Sequence, residues 1–248
     1  MSPVTIVTGG SQGIGAAVAK MAGARGHSVA LTYQSNRALA EAVVRDIESA
    51  GGRAIAVQAE MADEASILAL FRIVDVTFGP VTVLVNNAGG PGPTCTLDDV
   101  TGAILDQVLA VNVRAPFLTI REAAARMAID RGGKGGAIVN VSSRAAALGG
   151  AGEWVHYAAS KGALDSLTIG ASKELAPRGI RVNAVSPGLI ETDLHARAGL
   201  PERLTKLVSG VPMGRTGSAE EVAEAVLWLA SDAASYISGA IVPISGAR

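Results

Sequence analysis

Seven short, mostly apolar runs punctuate the chain at Val4–Val7, Ser28–Tyr33, Ala54–Val57, Val81–Val85, Ala137–Val141, Ile180–Val185 and Ala240–Ile244. Each is too short for a typical helix and runs apolar without clear alternation, as strands buried on both faces do. Helical patterns separate them: up to about Arg25, from about Arg37 to Ala50, Ala65 to Phe78, Leu97 to about Asp130, a helix through Tyr157 to about Ala176, and about Ala219 to Ser231. Strand and helix in alternation predict an α/β protein with one doubly wound parallel sheet of about seven strands, helices on both faces, in a single domain over 1–248. In the long fourth helix, Asp98 and Asp99 are expected in the first turn, where the dipole favours acids, and Pro116 predicts a kink near Asn112 to Ala115. The polar, irregular stretch 189–212 reads as a mobile cover over a substrate.

Composition adds to this pattern. Apolar residues make up 49% and aromatics only 3%, so the core must be built from Ala, Val, Ile and Leu. Glycine occurs 30 times, clustered in loops as if shaped around a ligand. The formal net charge of -1 gives no reason to expect nucleic acid or an anionic membrane as partner. The uncharged stretch from Val76 to Leu97 is broken by Gly79, Pro80, Asn86, Asn87 and Pro91, which argues against a membrane span. One cysteine, Cys95, excludes an internal disulfide. The first strand follows the N-terminus too closely for a signal peptide, and a cytoplasmic location is expected.

The first strand runs into Thr8-Gly9-Gly10-Ser11-Gln12-Gly13-Ile14-Gly15 and then a helix. Strand, glycine loop and helix N-terminus form an anion site, with free N–H groups and the positive end of the dipole facing it. Glycines let the backbone approach a pyrophosphate, as dinucleotide-binding loops do. The spacing of Gly9, Gly13 and Gly15 is G-x-x-x-G-x-G, and a bare strand-to-helix turn remains the alternative. A carboxylate for an NAD ribose 2′-hydroxyl belongs near the end of the second strand, yet Thr32-Tyr33-Gln34-Ser35-Asn36-Arg37 has none. Ser35, Asn36 and Arg37 could hold a 2′-phosphate, which favours NADP(H) over NAD(H). Arg37 also fits an ordinary solvated helical position, and Gln12 adds no positive charge. Asn86-Asn87-Ala88-Gly89-Gly90 ends the fourth strand, at the edge where open α/β sheets bind ligands; its asparagines could equally hold neighbouring loops.

Chemistry is concentrated in the second half. Tyr157 and Lys161 lie one turn apart on a helix. An ammonium near a phenol favours the phenolate, lowering a pKa of about 10 towards the range useful for general acid–base catalysis. The same pair also fits a solvated helical face. Ser142 and Ser143 close the fifth strand. No histidine or acid completes a nucleophile-elbow pattern around them, which argues against a hydrolase triad and leaves a hydroxyl that donates to a substrate oxygen. The three histidines, at 27, 156 and 195, are scattered, so no metal site is expected and His195 reads as a surface or pocket-rim residue. Pro91, Pro93, Leu148 and Trp154 suggest a partly apolar pocket wall.

Taken in order, Thr8-Gly9 with Gly13 and Gly15, Asn86-Asn87-Ala88-Gly89, Asn112, Asn140-Val141-Ser142-Ser143, Tyr157-x-x-x-Lys161 and Pro187-Gly188 resemble the classical short-chain dehydrogenases/reductases over essentially the whole chain. The resemblance implies a Rossmann fold holding a dinucleotide on Gly9, Ser11, Gln12, Gly13, Ile14, Gly15, Glu60, Met61, Asn87, Ala88, Gly89, Tyr157, Lys161, Pro187, Gly188, Ile190 and Thr192. It implies a tetrad: Tyr157 as general acid or base, Lys161 on the nicotinamide ribose, Ser143 on the substrate oxygen, and Asn112 holding a proton-relay water. Three departures qualify it: Glu60-Met61 stands where Asp-Val or Asp-Leu is usual, Gln12 where many NADP-dependent members carry Arg or Lys, and Val242-Pro243-Ile244-Ser245-Gly246 where an aspartate-glycine-glycine ending is common. The implied reaction interconverts a small-molecule secondary alcohol and a ketone in a homotetramer. The overall look is closest to sugar- and polyol-dehydrogenase-like members. 3-Oxoacyl-acyl-carrier-protein reductases are the alternative, with Arg126, Arg131 and Lys134 as candidate contacts to an acidic carrier. A cofactor-binding regulator without turnover is the reading from another class, disfavoured by the complete tetrad.

Overall fold

The computed structural model describes residues 2–192 and 198–248. The apolar runs become seven strands: β1 Val4–Val7, β2 Ser28–Tyr33, β3 Arg53–Gln58, β4 Val83–Asn86, β5 Gly136–Val141, β6 Ile180–Pro187 and β7 Ile241–Ile244. They lie in the order β3-β2-β1-β4-β5-β6-β7, with every neighbouring pair parallel. Strand order reverses between β1 and β4, so the crevice at their carboxyl ends is the place where this architecture takes a ligand.

Alternate residues of each strand feed two cores. Helices α1 Gly13–Ala24 and α2 Arg37–Ser49 cover one face together with the last helix, Ala219–Ala230. There Val18, Ala22, Val43, Val226 and Leu229 meet Val7, Val29, Val85, Val139 and Val185. On the other face, α3 Glu64–Thr77, the helix Ala115–Met127 and the helix Val155–Leu175 pack Phe71, Ala123, Met127 and Leu175 against Ile6, Leu84, Ile138 and Val182. With aromatics scarce, small residues let neighbouring helices approach closely: a Cβ on Gly23 of α1 would stand 2.5 Å from Ile47 Cγ2 of α2. Helix starts follow local chemistry. Asn36 accepts from Leu39 N–H, Asp63 from Ala65 and Ser66 N–H, and Ser218 forms a capping box with Glu221.

The fourth helical stretch begins later than expected. Helix α4 spans Gly102–Leu109 and is capped by Thr101, whose hydroxyl accepts from Ile104 N–H. Asp98 and Asp99 therefore lie outside the helix, and Thr96 donates to Asp99 Oδ2 at 2.6 Å in a local turn. A side chain–backbone cap and a self-satisfied turn outcompete the dipole preference that placed the acids inside. Regular α-helix is interrupted where the kink was expected. A π-helical turn, Ala110–Arg114, joins α4 to α5, Ala115–Met127. Pro116 lacks the N–H that would continue the ladder to Asn112, and a single wider turn absorbs the mismatch. The run Gly102–Met127 is long and apolar enough to cross a membrane by length and composition. Here its inner face, from Thr119 to Met127, packs on the sheet, while Leu105, Leu109 and Phe117 stay exposed. A short helix α6, Ala145–Leu148, follows β5, and α8, Arg203–Leu207, stands inside the stretch 189–212 expected to be irregular; α7 is Val155–Leu175 and α9 is Ala219–Ala230.

Candidate active site

The glycine loop between β1 and α1 is locked from three strands. The Thr8 hydroxyl accepts from Asn87 and Ala88 N–H at 3.0 and 2.9 Å, while Asn87 Nδ2 donates to the Thr8 and Gly9 carbonyls at 2.9 and 3.0 Å. Thr32, on β2, accepts from Gly9 N–H through its hydroxyl and from Gly10 N–H through its carbonyl. Asn87 is thus a brace for the loop as well as a groove residue. Gln12 stands at the N-cap of α1 and makes no side-chain cap bond, leaving the first-turn N–H groups for an anion.

Gly9 adopts φ +64°, and a Cβ there would touch Ala88 Cα at 3.0 Å. At Gly15 a Cβ would stand 2.3 Å from the Gly9 carbonyl oxygen and 2.5 Å from Asn87 Nδ2. The cradle therefore has room for a pyrophosphate only because these positions lack side chains. Gly15→Ala is expected to displace the loop backbone at an overpacking cost of about 1–3 kcal/mol, weakening dinucleotide binding roughly 10- to 100-fold. A fluorescence titration with NADPH measures this, and affinity within two-fold of wild type would contradict the steric reading.

From this cradle a groove of about 400 Å³ runs over Ser11, Gln12, Gly13 and Ile14, past Tyr33 and Gln34 to Glu60 and Met61, and back along Asn87, Ala88 and Gly89. Gln34 Nε2 donates to Glu60 Oε2 at 2.7 Å, and Glu60 Oε1 accepts from Ala62 N–H. The longer acid thus lines the end of the groove beside Gln34. Ser35, Asn36 and Arg37 are not brought to the groove lining. Asn36 is spent as the α2 cap, and Arg37 pairs with Glu41 at 2.6 Å with its side chain 76% exposed. An i,i+4 partner on its own helix holds the guanidinium, which points the proposed phosphate ligand elsewhere.

A second cleft of about 510 Å³ shares Ile14, Asn87, Gly89 and Thr192 with the first and continues over Pro187, Gly188 and Ile190 to Ser143, Leu148, Trp154, Tyr157 and Lys161. Three of the four residues of the expected tetrad line it, and Asn112 lines the adjoining groove. The Ser143 hydroxyl lies beside the Tyr157 phenol and favours its ionised form. Trp154 packs edge-on against Tyr157, ring centroids 6.4 Å apart. Pro91, expected on the pocket wall, is instead buried outside the cleft lining, where its carbonyl accepts from His156 Nε2 at 2.8 Å. His195 lies outside the described residues.

Electrostatics in the cleft differ from the sequence expectation. Burial raises the Tyr157 phenol above its usual value, against the opposing effects of the Ser143 hydroxyl and the Arg203 charge. Lys161 does not supply the downward push. Its Nζ sits 5.7 Å from the Tyr157 ring centroid and donates to the Val141 carbonyl at 2.7 Å. Burial pulls Lys161 itself down from 10.5 to about 8, opposed by the charge of Asp165. Spacing along a helix revealed the neighbours, whereas desolvation is set by tertiary packing and decides the sign.

Asn112 is fully engaged. Its Nδ2 donates to the Gly90 carbonyl and Ser160 Oγ at 3.0 and 2.9 Å, and its Oδ1 accepts from Gly90 N–H at 3.1 Å. The side chain clips the β4 loop and α7 to the π-turn, so its amide is already satisfied within the protein. Arg203, on α8, was not anticipated. It stacks on Trp154 with its guanidinium carbon 4.6 Å from the ring centroid and donates twice to Glu153 Oε2, at 3.0 and 2.7 Å. No short-range pattern could have announced a contact made across so many residues. Asp165, one further turn along the Tyr157–Lys161 face, could have been found by extending the same spacing.

An open parallel sheet, a glycine cradle at its switch point and an adjoining cleft that gathers a tyrosine, a serine and a buried lysine define a dinucleotide-dependent oxidoreductase. A family model described as Enoyl-(Acyl carrier protein) reductase matches residues 9–246. The chain is 48% identical over 245 residues to the uncharacterized oxidoreductase YgfF of Escherichia coli K12, covering 99% of each. It is 36% identical over 250 residues to the 3-oxoacyl-[acyl-carrier-protein] reductase FabG of Staphylococcus aureus, covering 99% of this chain and 98% of that one. A blue fluorescent protein from a metagenomic library, solved in complex with NADPH, superposes with a TM-score of 0.89 at 37% identity, covering 99% of this chain and 97% of that one. The protein belongs to the classical short-chain dehydrogenase/reductase family and is an NAD(P)-dependent oxidoreductase.

Proposed function

We propose that the protein interconverts a secondary alcohol and a ketone, with a hydroxylated substrate of the sugar or polyol kind in the second cleft. The observation that carries the reading is that Tyr157, Ser143 and Lys161 line one cleft continuous with the glycine groove. Bound nicotinamide dinucleotide supplies or accepts the hydride. Ser143 donates to the substrate oxygen and orients it, and Tyr157 delivers the proton to that oxygen in reduction or removes it in oxidation. Lys161, buried and cationic below about pH 8, stabilises negative charge on the phenol oxygen side of the cleft and lies within reach of the cofactor half. Asn112 acts as the clip that fixes the β4 loop against α7.

Support for a hydroxylated substrate comes from Arg203 and Glu153, which bring donors and acceptors into an otherwise largely apolar chamber walled by Leu148, Leu189, Leu207 and Trp154. Such a pair suits a substrate that carries hydroxyls besides the reacting one. NADP(H) is favoured over NAD(H), because residues 32–37, where a carboxylate for a ribose 2′-hydroxyl belongs, include none. The NADPH complex of the blue fluorescent protein agrees with that preference. The acyl-carrier-protein alternative rests on the likeness to FabG. Within this chain its candidate Arg126 is committed to Asp75 and Glu122, at the end of α5 that leads into the amino-terminal end of β5, away from Ser143. Exposed Leu105, Leu109 and Phe117 on α4–α5, with Ile169 on α7, fit the helix faces of a cytoplasmic homotetramer, which light scattering of the purified protein tests.

Cofactor oxidation and reduction measured against sugars, polyols, simple ketones and acetoacetyl thioesters decides the substrate. Turnover of sugars or polyols with a higher kcat/KM for NADPH than NADH is expected. Turnover of acetoacetyl thioesters but not of sugars reverses the order of the two readings.

A further inference from the structure

The groove that leads from the glycine cradle is almost without formal charge. Among the described residues that line it, Glu60 is the single charged side chain, and neither arginine nor lysine is present. Glu60 lies just past the end of β3 and is fixed in place. Its Oε2 accepts from Gln34 Nε2 at 2.7 Å, its Oε1 accepts from Ala62 N–H at 3.0 Å, and its own N–H donates to Ser66 Oγ at 2.9 Å. Gln34, the residue after β2, is held as well: its carbonyl accepts from Gln58 Nε2 at 3.0 Å.

The end of β2 is where an acid meets the ribose 2′-hydroxyl of NAD in dinucleotide-binding sheets. This strand supplies none, but β3, paired alongside it, delivers one to the same place, a single hydrogen bond from Gln34. The contact also fixes the polarity of the Gln34 amide. A carboxylate only accepts, so Nε2 faces Glu60, and Oε1, which has no hydrogen-bond partner among the described residues, is turned away from it. The pair thus offers acceptors to a hydroxyl. A 2′-phosphate, itself only an acceptor, can draw from this pair no more than the second Nε2 hydrogen, and it meets a like charge.

We propose that Glu60 is a cofactor-selecting residue: its carboxylate takes the part of the acid missing from β2, favours a free ribose 2′-hydroxyl and narrows the advantage of NADP(H) over NAD(H). The proposal rests on the dinucleotide reading of the groove and refines the cofactor preference given above. That preference is then a small surplus, because no acid on β2 opposes the phosphate while one from β3 does.

Dissociation constants for NADPH and NADH, measured by nucleotide fluorescence on the whole protein without turnover, test this. Glu60→Gln keeps the length of the side chain, removes its charge and frees the Gln34 amide to turn Nε2 outward. NADPH is expected to bind roughly three- to ten-fold more tightly in this variant, with NADH changed by less than about two-fold and the gain shrinking at high salt. Gln34→Glu should act in the opposite sense, weakening NADPH about ten-fold or more and NADH far less. Constants for both nucleotides that move by the same factor in Glu60→Gln overturn the proposal, since the side chain is then only a shared wall of the groove. A ratio unchanged in both variants overturns it as well. Wild-type protein that binds NADH more tightly than NADPH reverses the preference stated under the proposed function, yet the selecting role stands if Glu60→Gln still shifts the ratio towards NADPH.

Discussion

Tyr157→Phe is expected to lower kcat by about 10³-fold or more, near the upper range for loss of a general acid, while leaving the dissociation constant for NADPH within about three-fold. The substitution removes one oxygen atom. The ring keeps its edge contact with Trp154 and its place near the Lys161 ammonium, so the helix and the groove have no reason to move. Ser143 keeps its hydroxyl and can still orient a carbonyl, but its alcohol is far too weak an acid to replace the phenol. Because burial holds the Tyr157 phenol above its usual value, it is protonated throughout the neutral range, the form that donates in reduction. Oxidation needs the phenolate, so its rate should climb with pH through the neutral and alkaline range while reduction does not. Steady-state kinetics in both directions with wild type and variant test this, and residual turnover above about a tenth would remove Tyr157 from the proposed role.

That pH asymmetry marks the boundary of what the residues alone reveal. Strand positions were legible because parallel strands covered on both faces must be apolar throughout, and β1, β2 and β5 stand within a residue of where the pattern put them. An interruption of the helix near Asn112 to Ala115 was legible through Pro116, though not its π-helical form. The start of α4 was not, because two local signals competed there and the Thr101 cap prevailed over the acids at 98 and 99. Arg37 is instructive in another way: proximity to the end of β2 suggested a phosphate ligand, yet Glu41, four residues on, was equally visible and holds the guanidinium. The direction of the Tyr157 shift was beyond reach, since it depends on water excluded by residues from β5, α7 and α8 together. Arg203 stacked on Trp154 belongs to the same class of feature.

Lys161→Met should separate stability from function at one position. Lys161 is 4% exposed, and burial pulls its ammonium from 10.5 to about 8. A displacement of that size corresponds to roughly 3 kcal/mol spent on keeping the charge in the folded protein at neutral pH. Between pH 8 and 10.5 the unfolded chain binds more protons at this site than the folded one, so the wild type gains stability from this group as pH rises through that window. Below pH 8 the whole penalty is present. Methionine carries no charge and removes that dependence, although the Val141 carbonyl loses the 2.7 Å bond from Nζ, a loss of about 1–3 kcal/mol that offsets part of the gain. Denaturant unfolding of both proteins at pH 7 and pH 10 should therefore show the wild type closing on the variant by about 2–3 kcal/mol as pH rises. Activity should move the opposite way, with kcat for reduction down about 10²-fold or more as the cationic neighbour of the phenol disappears. A stability difference that is the same at both pH values would mean that Lys161 bears no burial penalty.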